Sequence, residues 1–142
     1  MRKSNSGFTL IELMLVVIII GVLVSMVLPR LAGRSEQARI AAAGADINAN
    51  IATALDMYEL DNGRYPTTEQ GLRTLVVESD VSPLPNNWHG PYLKKIPQDP
   101  WKRAYVYKSP GDHSQDYDLS SLGPDGIESA DDITSWQSEI SP

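Results

Sequence analysis

Cysteine is absent from the chain, so no disulfide ties the fold and no thiol chemistry belongs to it. Only two histidines occur. Both His89 and His113 lie in turn-like stretches with no serine or aspartate at a recognisable catalytic spacing, and no phosphate loop, zinc spacing or nucleophile elbow appears. These gaps remove the common enzyme classes and leave the two histidines as surface residues. Clustered positive charge is missing as well: 12 Lys and Arg stand against 18 Asp and Glu, a net charge of −6. Without a basic stripe there is no footprint for nucleic acid. At 142 residues the chain has room for one modest domain and an anchor, not two ordinary domains. A small domain without disulfides needs another staple, and a bound metal is one option.

What is present begins with a long apolar run. From Phe8 to Leu28, "FTLIELMLVVIIIGVLVSMVL" carries one formal charge, Glu12. At standard helical rise it spans roughly 30 Å, the thickness of a bilayer core, which predicts a transmembrane helix. The rival is a cleaved secretory signal behind the basic leader "MRKSNS". Such signals have shorter apolar regions and end in a small-residue cleavage site, whereas this run continues through Pro29 into a helical pattern. Glu12 is the anomaly. A carboxylate costs ~2.5–3.5 kcal/mol at the centre of a spanning helix on insertion scales, so it requires either a partner or a route to the headgroups.

"GFTLIEL", with Gly7 before Phe8 and Glu12 four residues on, resembles the N-terminal signal of type IV pilins and type II secretion pseudopilins. The resemblance implies that a prepilin peptidase cuts between Gly7 and Phe8 on the cytoplasmic side and that the new terminal Phe8 is methylated. It implies further that Glu12 pairs with the terminal amine of a neighbouring copy inside a filament. Opposite charges brought together offset each other's desolvation. In an unassembled chain the same carboxylate snorkels toward the headgroups. The predicted organisation is a cleaved leader at 1–7, a transmembrane and filament-core helix at 8–28, and a periplasmic head at 29–142.

Pro29 lacks an N–H and clashes with the preceding turn, so a kink or melted turn is expected over 25–33. Beyond it, Ile40, Ile47, Ile51, Leu55 and Tyr58 recur at helical spacing, an amphipathic continuation closed by Asn62-Gly63. Thr67 followed by Gln70 is a capping-box pattern and predicts a short second helix bearing Leu72, Leu75 and Val76. The proline-rich stretch "VSPLPNNWHGPYLKKIPQDPW" predicts a loop ordered by Trp88, Tyr92 and Trp101. "AYVYK" and "DYDLSSLG" predict a small antiparallel sheet across the turn "SPGDHSQ". The fold class is α+β: a long N-terminal helix packed on a short helix, a long loop and a small sheet, a pilin-like arrangement.

"DMYELDNGRYPTTEQGL", "PQDPW" and "SLGPDG" followed by "DDI" and Trp136 resemble the family of type II secretion major pseudopilins, general secretion pathway protein G. The match runs through nearly the whole chain, whereas type IV major pilins share mainly the N-terminal signal and often close their last loop with a disulfide. The resemblance implies a structural subunit rather than an enzyme, one that polymerises into a periplasmic pseudopilus driving folded proteins across the outer membrane. Its partners would be further copies, minor pseudopilins, the inner-membrane assembly platform and the prepilin peptidase. The alternatives are a type IV pilus major pilin and a monomeric, single-pass membrane-anchored binding module.

"LGPDGIESADDI" crowds Asp125, Glu128, Ser129, Asp131 and Asp132 into a short loop. These are hard oxygen ligands of the kind Ca²⁺ takes, although the spacing is not that of an EF-hand. By composition alone a solvated acidic loop is the commoner outcome. The family resemblance implies structural Ca²⁺ here, with Leu122 offering a carbonyl and Asp125, Ser129, Asp131 and Asp132 offering side chains or carbonyls. The loop is shorter than the family's between Gly126 and Glu128, so the set rests first on the three aspartates.

Overall fold

A computed structural model of the chain describes residues 8–137, except for the side chains of 26–32. The leader at 1–7, Gly7 included, lies outside the described residues. Two compact parts emerge, Met1–Gln37 and Ala38–Pro142.

In the first part, helix α1 (Leu10–Ala45) begins and continues past position 29. The melted turn expected over 25–33 therefore does not occur; a single proline removes one ladder bond, and the bonds on either side keep the backbone helical. Apolar side chains along the start of α1 stand open, with Leu10 at 76% and Val17 at 69% exposure. No helix among the described residues is long and apolar enough to cross a membrane. The predicted span from Phe8 to Leu28 falls partly outside them, because the side chains after position 25 are not described.

The second part is built on the end of α1, a π-helical segment (Asp46–Ile51) and helix α2 (Ala52–Asn62). The π segment follows from the spacing of the buried stripe. Ala43, Ile47, Ile51 and Leu55 are all fully or almost fully buried and recur every fourth residue. In an α-helix that repeat drifts about 40° per step. A wider i→i+5 turn cancels the drift and keeps all four side chains aimed at one core. Ile40, expected in the same stripe, precedes this correction and remains 42% exposed. The helix ends as its sequence demands: Gly63 takes φ 75° and donates its N–H to the Glu59 carbonyl at 2.7 Å, a left-handed stop that glycine tolerates without strain.

The Thr67–Gln70 box forms. Gln70 Oε1 accepts from the Thr67 N–H at 2.9 Å, and Thr67 Oγ1 accepts from the Gln70 N–H at 3.3 Å. The helix predicted behind it is shorter than expected, a 3-10 turn over Leu72–Leu75. Leu72 and Leu75 both enter the core, and the proline-rich chain takes over immediately after. That loop is held by side chains: Trp88 Nε1 donates to the Thr74 carbonyl at 2.9 Å, and the Tyr92 hydroxyl to Asp61 at 2.7 Å.

The sheet is antiparallel in the order β1 (Val106–Lys108), β2 (Asp118–Ser121), β3 (Ile133–Thr134). Tyr107 pairs with Leu119, and Ser121 with Ile133. Both strands of the predicted hairpin, β1 and β2, are shorter than anticipated, and β3 was not anticipated, since two residues carry no readable alternation. Tyr105, Tyr107 and Leu119 pack on Ile47, Ile51, Leu55 and Tyr58 to close one core.

Candidate functional site

Phe8 is 78% exposed, and Gly7 lies outside the described residues, so the predicted cleavage point is seen from one side only. Glu12 has a local role that spacing alone could have revealed. Thr9 Oγ1 accepts from the Glu12 N–H at 3.3 Å, and a Glu12 carboxylate oxygen lies 3.5 Å from the Thr9 N–H. Thr-x-x-Glu is a capping box, overlooked because Glu12 was read for its charge, as one half of an ion pair or a snorkelling carboxylate, and not for its spacing from Thr9. The carboxylate thus caps the first turn of α1 and remains exposed.

The acidic loop has two arms. In the first, the Gly126 N–H donates to the Leu122 carbonyl at 3.1 Å and the Ile127 N–H to Asp125 Oδ1 at 3.0 Å. Arg103 caps this arm, its Nη1 donating to the Gly123 carbonyl and Nη2 to the Pro124 carbonyl, each at 2.9 Å. In the second arm the Ser129 hydroxyl bonds to Asp131 Oδ1, and the Asp132 N–H lies 3.4 Å from the Ser129 carbonyl. The arms meet at Gly123, where φ is 61° and an added Cβ would stand 3.1 Å from the Asp131 carbonyl oxygen. Asp132 Oδ1 is buried and accepts no hydrogen bond among the described residues. Burial foremost, and then the neighbouring Asp131, Asp125 and Glu128 carboxylates, push its carboxyl above the usual carboxylate value.

Of the five predicted ligands, the fold links Ser129 to Asp131 and Asp132 and sets Asp131 against Gly123, while Leu122 and Asp125 serve their own turn. No group of three or more acidic or histidine side chains among the described residues is placed to hold a metal ion. The donors are nonetheless hard oxygens throughout, hydroxyl and carbonyl included. An orphaned buried carboxylate oxygen beside them fits a cation of the calcium kind in its chemistry.

A cleft of about 230 Å³ adjoins the loop, lined among others by His113, Asp118, Leu122, Asp132 and Trp136. Contrary to the sequence reading, His113 has an aspartate partner. Its Nδ1 lies 2.8 Å from Asp118 Oδ2, and its ring stacks on Trp136 at 4.1 Å. Asp118 is buried on β2 and also accepts from the amides of Asp112, His113 and Ser114 at 2.8–3.3 Å. Burial alone would raise its carboxyl; the His113 bond and the three amides outweigh it and hold the group below the ordinary carboxylate value. The arrangement anchors a turn, with the His113 ring and three backbone amides sharing one carboxylate.

Sequence reasoning also missed Asp99. It is buried at 2% exposure, its Oδ1 accepts from the Trp101 and Arg103 amides at 3.0 and 2.8 Å, and its Oδ2 accepts from the Ser121 hydroxyl at 2.9 Å. An aspartate between two prolines, in "PQDPW", was the available signal for a side-chain-capped turn.

The family described as type II secretion system (T2SS), protein G matches residues 30–136, and the prokaryotic N-terminal methylation motif matches residues 2–28. The type II secretion system core protein G of Pseudomonas aeruginosa is 50% identical over 132 residues, 92% of this chain and 92% of the relative. Its namesake in Escherichia coli strain K12 is 51% identical over 140 residues, 96% of this chain and 95% of the relative. The crystal structure of the major pseudopilin from the type 2 secretion system of enterohaemorrhagic Escherichia coli superposes with a TM-score of 0.69 at 43% identity, covering 79% of this chain and 95% of that one.

Proposed function

Since this chain belongs to the type II secretion system protein G family, we propose that it is the major structural subunit of a periplasmic pseudopilus. It is a membrane-anchored component whose copies stack by their apolar helices and display their heads outward. The observation that carries this reading is the contrast along α1. Its apolar beginning is open, while the head closes a core of its own around Ile47, Leu55 and Leu119. An uncovered apolar helix that its own domain does not need is free to exchange a bilayer for other copies.

The finer steps extend the same reading. The chain enters the inner membrane with its N-terminus cytoplasmic, and the prepilin peptidase cuts after Gly7 and methylates Phe8. Glu12, released from its bond to the Thr9 amide when a new terminus forms beside it, pairs with the Phe8 ammonium of an adjacent copy. Growth on the inner-membrane platform, with minor pseudopilins in the same assembly, drives folded proteins across the outer membrane. The role is structural and asks for no catalytic group. Mass spectrometry of the mature chain, with imaging of filaments from producing cells, tests this; methylated Phe8 and filaments are expected. A chain isolated with Met1 intact, monomeric and fully active in secretion would overturn it.

Ca²⁺ in the 122–132 loop is the second part of the proposal, supported by the orphaned Asp132 oxygen. Ser129, Asp131 and Asp132 would hold it with the loop carbonyls, and Leu122 and Asp125 would complete the set. A cation there neutralises carboxylates that otherwise repel one another and ties the last loop to β2 and β3. A chelator is expected to lower the melting temperature of the full chain in detergent, and Asp132→Ala to abolish that response. An unchanged melting temperature would leave a plain solvated loop.

A further inference from the structure

The two arms of the acidic loop are held by different means. The first arm is tied through a closed circuit of side chains. Asp99 fixes the Arg103 backbone from both sides, its Oδ1 accepting the Arg103 N–H at 2.8 Å while its own N–H donates to the Arg103 carbonyl at 2.8 Å. The second Asp99 oxygen takes the Ser121 hydroxyl at 2.9 Å, and Ser121 is the last residue of β2 before the loop. From that fixed base the guanidinium reaches back and donates to two consecutive carbonyls, Gly123 and Pro124. Gly126 has φ 72°, a conformation glycine adopts without strain, and a Cβ there would meet Arg103 Nη1 and displace the guanidinium. Among the described residues no such clamp holds the second arm: Glu128, Ser129, Ala130 and Asp131 are exposed, and the bond between Ser129 and Asp131 is local.

We propose that Arg103 is a positioning residue for the cation loop, holding the 122–126 arm in its receiving shape before any cation arrives, so that binding has only the 127–132 arm left to order. The inference rests on the calcium reading for its ligand and on the Asp99–Arg103–Ser121 circuit for its mechanism. A planar fork with two parallel donors is what consecutive carbonyls require; a lysine brings the same charge but cannot engage both in one fixed plane. Ordering half of a loop in advance raises affinity by lowering the entropy lost on binding. The guanidinium is directed at carbonyls, and no ion pair joins it to a carboxylate among the described residues, so its charge does not stand in for the cation.

The test uses the full chain in detergent micelles as wild type, Arg103→Ala and Arg103→Lys, with amide hydrogen exchange and calcium titration calorimetry. In chelator, the wild type is expected to protect the Gly126 amide, and residues 128–131 to gain protection only when calcium is added. Arg103→Ala is expected to lose the Gly126 protection in chelator and to bind calcium about tenfold more weakly, with Arg103→Lys close to it. Unchanged exchange across α2 in both variants certifies that the head is folded. Equal Gly126 protection in Arg103→Ala, or calcium affinity equal to or tighter than wild type, overturns the proposal while leaving the calcium reading intact. A wild-type chain that takes up no calcium removes the cation reading, and the proposal with it.

Discussion

Ile18 and Ile47 are the same residue on the same continuous run of helix, yet one is 60% exposed and the other 1%. Among the described residues the apolar side chains over 8–24 stand open, whereas the second part surrounds its stripe with Leu72, Leu75, Tyr105, Tyr107 and Leu119. Hydrophobicity therefore plays two roles. In the head, burial of one core drives folding within a single chain; along the start of α1, on the proposed reading, it is left to a bilayer or to other copies. Separating the roles lets a subunit fold once and still change surroundings when it assembles.

Substitutions should separate the two regions most sharply in the core. Leu55→Ala deletes a fully buried side chain and is expected to lower head stability by ~2–5 kcal/mol, read by chemical denaturation in detergent. Ile18→Ala should leave that transition in place; a comparable loss would mean the head depends on the first part of α1. Next comes Asp118. Its carboxyl is held below the usual value of 3.8, so its charge stabilises the head above that pH, and the contribution is lost as pH falls through the lower folded value. Asp118→Asn is expected to cost ~1–3 kcal/mol near neutrality and to converge with wild type in stronger acid. Parallel stability curves down to the lowest pH would show that the amide bonds to Asp118 carry no charge-dependent energy. The smallest effect belongs to the anchor: Thr9→Ala removes one half of a capping box and should cost helix α1 ~0.5–2 kcal/mol, seen as faster amide exchange in the first turn with the head unaffected.

Much of this was legible in short windows of sequence. Gly63 after Asn62 marked the end of α2, Thr67 and Gln70 marked a capping box, and the β-type residues around Tyr107 and Leu119 marked two strands, because each signal acts between residues that are neighbours along the chain. Other features were present but misread. Thr9 and Glu12 satisfy the same box pattern as Thr67 and Gln70, yet the charge of Glu12 in an apolar run drew attention away from its spacing. The helix behind Thr67 was expected to be longer than its four-residue turn, since Leu72 and Leu75 look alike in either geometry. The site was less legible. Asp125 was read as a ligand of the same standing as Asp132, and only the burial of Asp132 Oδ1 distinguishes them.

The amino-acid order by itself determined that the chain would have an apolar helix carrying one acid, an amphipathic continuation, a small sheet and an oxygen-rich last loop. Those depend on periodicity, capping and composition, which operate over a few residues. Only the tertiary structure decided that the helix widens at Asp46–Ile51, that Asp99 joins Arg103 to Ser121, and that Arg103 grips the carbonyls of Gly123 and Pro124. Each of these pairs groups about twenty or more residues apart or answers a packing demand of the whole core, and their energies exist only once the chain has closed on itself.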